Sequence, residues 1–338
     1  MTIAVDKNSY FVANNNNEYI YVFDKENLSD LLDKRMKCIY YKNCDYVDIN
    51  LTDYDINCLK KASIEDKDYD VLEKKEYKIG IIIPNCNYEH TLNKCLNSIL
   101  NQTYKNYEIV FVDDASTDNS VAIATQLLGK QHKVIQLQQK RLNGGARNEA
   151  YLHLSDDIDY VYYIDSDDWL YDKFSLEKIN NKLQKYPDVL FVGMMKCKNG
   201  IIEKSYTPEY KDKYQAIEGW SGSCGKVIKK ELAIRQDCLY NEGTLKEDKN
   251  QHCRICINMK SFEILKDGIY VWNQDNLKSV TTIRTKNILW NTSTIRHYAD
   301  TMQLFLEQKG KDIKVDKILK KRVDRAKKEM LNGGDKQW

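Results

Sequence analysis

Two neighbouring carboxylates stand where a predicted strand ends. Asp113 and Asp114 directly follow the apolar run 107–112. Adjacent carboxylates repel each other unless hydrogen-bond donors or a cation face them. We therefore expect both side chains to contact a ligand. The following segment 116–118 instead offers the short polar side chains that cap helices.

A second acidic cluster follows the apolar run 160–164 and comprises Asp165, Asp167 and Asp168. Such oxygen ligands suit hard divalent cations, Mg²⁺ or Mn²⁺, which often take one or two protein carboxylates while a substrate diphosphate supplies further oxygens. The alternative is a solvated acidic turn, because acidic turns are common on protein surfaces. The cluster therefore favours a metal site without excluding the simpler interpretation.

Between the two clusters, Gly144 and Gly145 precede Arg147 at the start of a predicted helix, 145–154. Free backbone N–H groups and a guanidinium there suit a phosphate or a carboxylate. A plain glycine-rich helix start accounts for the same residues equally well. The segment lacks the G-x-G-x-x-G and G-K-[ST] spacings, which argues against a nicotinamide dehydrogenase and a P-loop NTPase.

Alternating strands and helices must position these side chains. The continuous β-branched run that ends at Pro84 is typical of a strand buried on both faces. From there we predict strands at 78–83, 107–112, 134–137 and 160–164 and helices at 92–100, 120–128 and 145–154. This order implies right-handed crossovers onto one twisted, mostly parallel sheet. Ligands of such sheets lie beyond the carboxyl ends of the strands, where the acidic residues are.

The composition limits the class of protein. The 338 residues carry 52 Lys and Arg against 50 Asp and Glu, and the net charge of +2 argues against nucleic-acid or membrane binding by the whole surface. No apolar run approaches the roughly 18 residues of a spanning helix, and residues 1–11 lack a secretory pattern. The ten cysteines therefore favour reduced thiols, and we expect a soluble cytoplasmic protein.

An ordered set of motifs resembles glycosyltransferase family 2 over about residues 77–280. The motifs are Pro84-Asn85-Cys86-Asn87, Leu96-Asn97-Ser98-Ile99-Leu100-Asn101-Gln102-Thr103-Tyr104, Val112-Asp113-Asp114-Ala115-Ser116-Thr117-Asp118, Asn143-Gly144-Gly145-Ala146-Arg147-Asn148 and Asp165-Ser166-Asp167-Asp168. The resemblance implies an inverting enzyme of the GT-A fold, a Rossmann-like α/β sheet flanked by helices, that uses a nucleotide sugar. Cys86 departs from the family, which usually has an aromatic residue there; Tyr88 could substitute in stacking on the base.

The resemblance also implies roles for individual residues. The nucleotide sugar would be bound by Pro84, Asn85, Asn87, Asp113, Asp114, Arg147, Asp165 and Ser166. Asp114 would accept a hydrogen bond from the base N3–H. Within the Asp-X-Asp motif, Asp167 and Asp165 would bind Mn²⁺ or Mg²⁺ beside the donor diphosphate.

A Glu-Asp pair downstream, Glu247-Asp248, lies where family members usually carry the catalytic base, which points to Asp248. A carboxylate with an acidic neighbour tends to a raised pKa, which suits removal of a hydroxyl proton. Alternatively, both residues simply favour the N-terminus of a predicted helix, 250–259. We expect Glu247 and Trp220 on the acceptor side, although the indole could equally fill the core.

We expect three parts in the chain. Residues 1–76 are an appended N-terminal module of unknown role, residues 77–285 the glycosyltransferase domain and residues 286–338 a basic helical extension. Within the domain, 77–170 would bind the nucleotide and 171–285 the acceptor. The basic stretch 309–328 is a solvated helix face or binds an anionic acceptor or surface, such as nucleic acid, phospholipid or an acidic polymer.

The favoured function is metal-dependent, inverting sugar transfer from a nucleotide sugar, with UDP as the commonest carrier in the family. The alternatives are a catalytically silent nucleotide- or glycan-binding module and a metal-dependent nucleotidyltransferase. The acceptor stays open among polysaccharide, lipid-linked glycan, protein and modified nucleic acid. The sequence does not choose an oligomeric state.

Overall fold

The computed structural model describes the side chains of residues 75–276, 279 and 292–331, the backbone of 288–291, and four strands within residues 1–74. The chain divides into two compact units, Met1–Lys75 and Glu76–Trp338. Each unit contains its own β-sheet. The residues singled out from the sequence for chemistry all belong to the second unit.

The first unit contains an antiparallel sheet of four strands in the order β3-β2-β1-β4. The strands are β1 (Thr2–Val5), β2 (Ser9–Ala13), β3 (Ile20–Asp24) and β4 (Tyr46–Asp48). Consecutive strands β1, β2 and β3 pair in sequence order, as short connections favour.

The second unit is built on a nine-stranded mixed sheet. Its strands are β5 (Ile79–Asn85), β6 (Tyr107–Asp113), β7 (Lys133–Gln136), β8 (Tyr160–Tyr163), β9 (Trp169–Leu170), β10 (Val189–Lys198), β11 (Ile201–Tyr206), β12 (Lys226–Lys229) and β13 (Phe262–Asn273). The order is β7-β6-β5-β8-β12-β10-β13-β9, with β11 paired to β10. Strands β7, β6, β5 and β8 are parallel, as the sequence predicts, and β12 runs antiparallel between β8 and β10.

Helices cover both faces of this sheet. They are α1 (Glu89–Leu100), α2 (Ser120–Leu128), α3 (Leu142–Tyr151), α4 (Ser175–Leu183), α5 (Lys213–Glu218), α6 (Lys230–Ala233), α7 (Glu247–Asn258), α8 (Ile288–Gln308) and α9 (Ile313–Leu331). Helices α3 and α7 each begin three residues before the predicted position. Gly144 and Gly145 therefore lie inside the first turn of α3, and Glu247 and Asp248 are the first two residues of α7.

Strand β5 is buried on both faces, as its β-branched run predicts. Ile79, Ile81 and Ile83 join one hydrophobic core with residues of α1, α2 and α4. Ile82 joins the other core with residues of α3, α7, α8 and α9. Successive side chains of a strand point to opposite faces, so the sheet separates the two cores.

The prediction that Pro84 ends strand β5 is wrong. The strand continues to Asn85, and Pro84 pairs with Val112 of β6. The carbonyl of Ile82 accepts a hydrogen bond from Ile164 N on the β8 side at 3.0 Å. In a parallel sheet, the backbone groups of every second residue point to the same neighbouring strand, so the backbone nitrogen of Pro84 also points to the β8 side. Strand β8 has ended there at Tyr163, so the missing N–H leaves no ladder bond unmade.

The two C-terminal helices pack onto the second core. Leu304 of α8 and Val315 and Leu319 of α9 are buried in the same cluster as Ile82. In the described part of the chain, no helix combines the length and apolar character that crossing a bilayer requires. The helical extension is thus part of the second compact unit.

Replacing Leu319 by alanine tests this integration. Leu319 is fully buried, so the substitution should lower the free energy of unfolding by about 2 to 5 kcal/mol through lost burial and a residual cavity. Ile313→Ala, at a side chain 74% exposed in the same helix, should change it by less than about 0.5 kcal/mol. Urea denaturation measures both. Equal, small effects would show that α9 contributes nothing to the cooperative fold.

Candidate active site

The loop after β6 is held by the buried carboxylate of Asp113. It accepts hydrogen bonds from Asn85 Nδ2 at 2.9 Å, from Ser116 N at 2.9 Å and from Ser116 Oγ at 2.5 Å. These donors stabilise the negative charge of Asp113. From the sequence we expected a ligand to do so, because the charges of Asp113 and Asp114 repel each other. Asp113 therefore positions the loop after β6, and its contact with a ligand stays a prediction.

Asn87 joins the loops that follow β5 and β6. Its backbone adopts a positive φ of 61°, a conformation that asparagine tolerates better than most residues. Its N–H donates to Ser116 Oγ at 2.8 Å, and its Oδ1 accepts from Thr117 N at 2.7 Å. The carboxyl ends of two neighbouring parallel strands are thus locked together by side chains of both loops.

Asp114 lies at the N-terminus of α3. Its two carboxylate oxygens accept from Arg141 N at 2.6 Å and from Leu142 N at 2.9 Å. The free N–H groups at this helix start, which we considered for a phosphate, therefore face a protein carboxylate. Asp114 is buried and fixes the start of the helix that carries Arg147.

Arg147 is the buried centre of the site. Its Nη2 donates to Asp165 Oδ1 at 2.8 Å and its Nη1 to Glu247 Oε1 at 2.8 Å. The same Nη1 lies 3.8 Å from Asp248 Oδ1. One guanidinium thereby joins the loop after β8 to the first turn of α7, which are the segments that carry the predicted metal ligands and the predicted base.

Burial divides the two carboxylates of the Glu-Asp pair. The side chain of Glu247 is 5% exposed and that of Asp248 is 36% exposed. Burial raises the pKa of Glu247 to about 8, and repulsion by Asp248 adds to this, while Arg147 opposes it. Only Asp248 of this pair is open to an incoming hydroxyl group. Glu247 contacts Arg147, and its place on the acceptor side stays a prediction.

The Asp165-Ser166-Asp167 segment forms the other side of the site. Asn276 Nδ2 donates to Asp167 Oδ2 at 2.8 Å. Burial, together with the charge of Asp165, raises the pKa of Asp167 to about 6, against the hydrogen bond from Asn276. The charge of Asp165 therefore disfavours ionisation of Asp167.

Asp168 has a structural role. Its side chain is buried and accepts from Tyr270 Oη at 2.5 Å and from Asn273 N at 2.7 Å. Both partners belong to β13, so the residue ties the loop after β8 to that strand. The three carboxylates of the acidic cluster thus have different hydrogen-bond partners.

Three buried polar atoms of predicted nucleotide-binding residues lack a hydrogen-bond partner among the described residues. They are Asn85 Oδ1, Arg147 Nε and Ser166 Oγ. Buried polar groups are nearly always hydrogen-bonded in folded proteins. A polar ligand could supply partners for these three atoms.

Trp220 lies beside Tyr206, with ring centroids 5.6 Å apart, and is partly exposed. A Cβ at Gly222 or Gly225 would come within 2.3 Å or 2.5 Å of the indole, so glycine is required at both positions. The buried ammonium of Lys226 donates to the carbonyls of Ser221, at 3.1 Å, and Gly222, at 2.6 Å, which holds this loop. Acceptor binding by Trp220 stays a prediction.

Several residues that support the site were not predicted from the sequence. Arg141 pairs with Glu242 at 2.7 Å and with Glu149 at 2.6 Å, and Lys226, Tyr270 and Asn276 position the loops. Their partners lie up to 109 residues away along the chain. No local spacing in the sequence signals such pairs.

Among the described residues, no group of three or more His, Cys, Asp or Glu side chains is arranged to hold a metal ion. Asp165 and Asp167 supply at most two carboxylates. Mg²⁺ and Mn²⁺ prefer such hard oxygen ligands, and Mg²⁺ sites commonly combine one or two carboxylates with substrate phosphates and water. The donor set therefore fits a divalent cation that is bound together with a diphosphate.

Part of this chain is similar in sequence to a known protein family and to named proteins. Residues 80–240 match the sequence model of Glycosyl transferase family 2. The glycosyltransferase GlyA of Streptococcus pneumoniae is 38% identical over 117 residues, which are 34% of this chain and 16% of GlyA. The poly(ribitol-phosphate) beta-glucosyltransferase of Bacillus spizizenii is 34% identical over 128 residues, 36% of this chain and 20% of that protein. The matches therefore span a fifth or less of the length of both relatives.

A solved structure confirms the predicted fold class. S. aureus TarS 1-349, crystallised in complex with UDP-GlcNAc, aligns with a TM-score of 0.60 at 22% identity over 76% of this chain and 72% of that one. The shared architecture is the α/β fold of the GT-A type, with a mostly parallel sheet flanked by helices. At this identity the likeness shows the fold alone.

Glu247→Gln tests the electrostatics of the buried pair. In the folded chain Glu247 keeps its proton up to about pH 8, whereas the unfolded chain releases it near the ordinary value of 4.5. The folded state therefore binds the extra proton between these values, and the free energy of unfolding should fall with rising pH, by up to about 1.4 kcal/mol per pH unit. The glutamine variant should show a flatter profile between pH 5 and pH 8.

Denaturation at a series of pH values measures this dependence. The matched control is Glu231→Gln, an exposed position on α6, which should keep the wild-type profile. Parallel profiles for wild type and Glu247→Gln would mean that Glu247 is ionised throughout this range and that Arg147 outweighs its burial.

Proposed function

Since residues 80–240 belong to glycosyl transferase family 2, we propose that the protein transfers a sugar from a UDP-sugar to a hydroxyl group of an acceptor, with inversion at the anomeric carbon. The observation that carries the proposal is the bridge made by Arg147. This buried guanidinium brings Asp165 of the Asp-X-Asp motif and Asp248 of the Glu-Asp pair to one site. A donor-binding carboxylate and a base must be this close for a single displacement to occur.

The nucleotide end of the donor is proposed to lie against the loops after β5 and β6. The unsatisfied Oδ1 of Asn85 and the loop held by Asn87 support this position. The pairing of β5 with β8 ends at Ile82, so no strand pairs with Pro84 on the β8 side. TarS was crystallised with UDP-GlcNAc, which supports a UDP-sugar as the donor.

Asp165 and Asp167 are proposed to hold Mn²⁺ or Mg²⁺. A bound divalent cation supplies Lewis-acid stabilisation of the negative charge that develops on the leaving diphosphate. Arg147 holds Asp165 through a hydrogen bond of 2.8 Å, and Asn276 holds Asp167 through one of 2.8 Å. Both carboxylates are thus oriented by the protein before any ligand arrives, which lowers the cost of reorganisation.

Asp248 is proposed as the general base. It removes the proton of the acceptor hydroxyl at its carboxylate, and the oxygen then attacks the anomeric carbon opposite the nucleotide. Its exposure of 36% gives an acceptor access, and Arg147 at 3.8 Å helps to fix its position. Glu247 remains buried beneath it and acts on the base through the shared guanidinium.

The acceptor is proposed to be a glycan or a polyol-phosphate chain. The relative from Bacillus spizizenii is named for its action on poly(ribitol-phosphate). Both kinds of acceptor present hydroxyl groups, which is the chemistry that a carboxylate base serves. The seven cysteines of the described residues are free thiols, which supports the cytoplasm as the compartment.

A screen of nucleotide sugars tests the proposal directly. The wild-type protein with Mn²⁺ should slowly release UDP from its matching UDP-sugar. Pyrophosphate release from a nucleoside triphosphate would indicate a nucleotidyltransferase instead. Binding of UDP without turnover of any nucleotide sugar would indicate a catalytically silent module.

Asp248→Asn should lower the rate of UDP release at least about 100-fold, because proton removal by a base typically contributes that much or more. The affinity for UDP, measured by calorimetry, should change less than about threefold, since Asp248 contacts no part of the nucleotide in the proposed geometry. Asp156→Asn, at an exposed position, serves as the control and should retain the wild-type rate. Undiminished turnover in Asp248→Asn would remove this residue from the role.

Asp167→Asn addresses the proposed cation. For the wild type, Mn²⁺ should increase the rise in melting temperature caused by UDP, because a ligand that binds the folded state stabilises it. The asparagine variant should lose this additional increase and keep the shift seen with UDP alone. An unchanged response to Mn²⁺ would show that the cation binds elsewhere.

A further inference from the structure

His90 lies in the first turn of α1 and contacts the segment that follows β13. Its Nε2 lies 3.2 Å from Oδ1 of Asn276, a residue 186 positions further along the chain. The side chain of Asn276 is buried, with the residue 5% exposed. This hydrogen bond therefore joins the start of a helix to a buried amide at the end of a distant strand.

The amide of Asn276 connects His90 with Asp167. Its Nδ2 donates to Asp167 Oδ2 at 2.8 Å, and its Oδ1 lies on the side of His90. An ionised carboxylate only accepts hydrogen bonds, so the NH₂ group must be the part of the amide that faces Asp167. The carbonyl oxygen that faces the imidazole also only accepts, so Nε2 of His90 carries the proton and donates it.

Both hydrogen bonds run in one direction, from the imidazole to the amide and from the amide to the carboxylate. Hydrogen bonds in such a chain polarise one another, so the first bond strengthens the second. The imidazole also opposes rotation of the amide by half a turn, which would place the carbonyl oxygen of Asn276 against Asp167 and its NH₂ group against the Nε2–H of His90. His90 therefore favours the one amide orientation that gives Asp167 a donor.

The backbone of the acidic loop is held by other contacts. Thr91 Oγ1 of α1 donates to the carbonyl of Ser166 at 3.0 Å. Asn273 Nδ2 of β13 donates to the carbonyl of Asp167 at 3.0 Å. These bonds do not involve His90, so the loop keeps its anchors when the imidazole is removed. The bond from His90 to Asn276 thus acts on the side chain of Asp167.

The carboxylate of Asp167 keeps one oxygen without a protein donor. Oδ2 accepts from Asn276, whereas Oδ1 accepts no hydrogen bond from any residue that the structure describes. A bond at Oδ2 restricts rotation of the carboxylate and so sets the direction of Oδ1. Groups that orient a metal ligand in this way typically contribute about 10- to 100-fold to metal affinity or activity.

We propose that His90 is a positioning residue of the divalent-cation site, which orients the carboxylate of Asp167 through the amide of Asn276. The inference rests on the proposed function, in which Asp167 binds Mn²⁺ or Mg²⁺. It assigns a part in that site to the first turn of α1, outside the Asp-X-Asp motif. His90 acts through Asn276 and is not itself a ligand of the cation.

Binding of Mn²⁺ to the protein–UDP complex tests the proposal without turnover. The full chain is titrated with Mn²⁺ in the presence of UDP, and the enhancement of water-proton relaxation over a protein-free blank reports the bound ion. His90→Phe keeps an aromatic ring but removes the N–H donor, so it should weaken Mn²⁺ binding about tenfold. His90→Gln should restore the affinity to within about threefold of wild type, because its amide can donate in place of Nε2–H.

A double-mutant cycle establishes whether His90 acts through Asn276. Asn276→Ala should weaken Mn²⁺ binding at least as much as His90→Phe does, because it removes the donor to Asp167 itself. In the Asn276→Ala background, His90→Phe should cause no further loss, since the connecting amide is absent. Additive losses would show that the imidazole affects the cation by another route, and the proposal would be wrong.

The control places the same ring elsewhere on α1. Asn97→Phe, at an exposed position about two turns from His90, should bind Mn²⁺ with wild-type affinity. Melting temperatures without ligand establish that every variant is folded. Wild-type Mn²⁺ affinity in His90→Phe, or no recovery of affinity in His90→Gln, would also overturn the proposal.

The outcomes separate this inference from the proposed function. If the wild type binds Mn²⁺ with UDP and releases UDP from a nucleotide sugar, while His90→Phe binds Mn²⁺ equally well, the transferase function stands and the role of His90 is refuted. If the protein–UDP complex of the wild type binds no Mn²⁺, the proposed cation site is refuted, and the role of His90 with it.

Discussion

The site depends on one buried cation. Arg147 is enclosed by the fold, and a guanidinium taken out of water must be matched by carboxylates, since an unpaired buried charge costs several kcal/mol. Burial alone would lower its pKa, but Asp165 foremost, with Glu247 and Asp248, raises it well above the ordinary range. The need to satisfy this charge draws the loop after β8 and the first turn of α7 to the same point.

The glycines before Arg147 make this approach possible. A Cβ at Gly144 would lie 2.7 Å from the carbonyl oxygen of Asn241 and 3.2 Å from the Cβ of Glu247. A Cβ at Gly145 would come within 2.3 Å of the Cβ of Arg141. Gly144 thus permits close packing of α3 against the segment that leads into α7, and Gly145 leaves room for the side chain of Arg141. Phosphate binding and a plain helix start were the two interpretations drawn from the sequence, and packing against a distant segment is a third that needs the structure.

Local patterns predicted the elements that frame the site. The buried strand β5, helix α2 and the parallel arrangement of β5 to β8 follow from runs of β-branched residues and helical periodicity. The insertion of β12 between β8 and β10 and the packing of α9 on the core depend on contacts between distant segments. Likewise, the bond from Tyr270 to Asp168 joins residues 102 positions apart. Such pairings are selected by burial and charge in three dimensions, which the spacing of neighbouring residues does not encode.

Adjacent acidic residues acquire different functions because the backbone directs neighbouring side chains apart. In the Glu247-Asp248 pair, consecutive positions of a helix turn one carboxylate onto Arg147 and the other towards solvent. In the turn after β8, Asp168 is fixed by Tyr270 and Asn273, while Asp167 is held by Asn276. In each pair the more buried carboxylate is bound by protein donors, and its neighbour is more exposed. Repulsion within each acidic pair is therefore tolerated because donors of the fold bind the more buried member, as Arg147 does for Glu247 and Tyr270 and Asn273 do for Asp168.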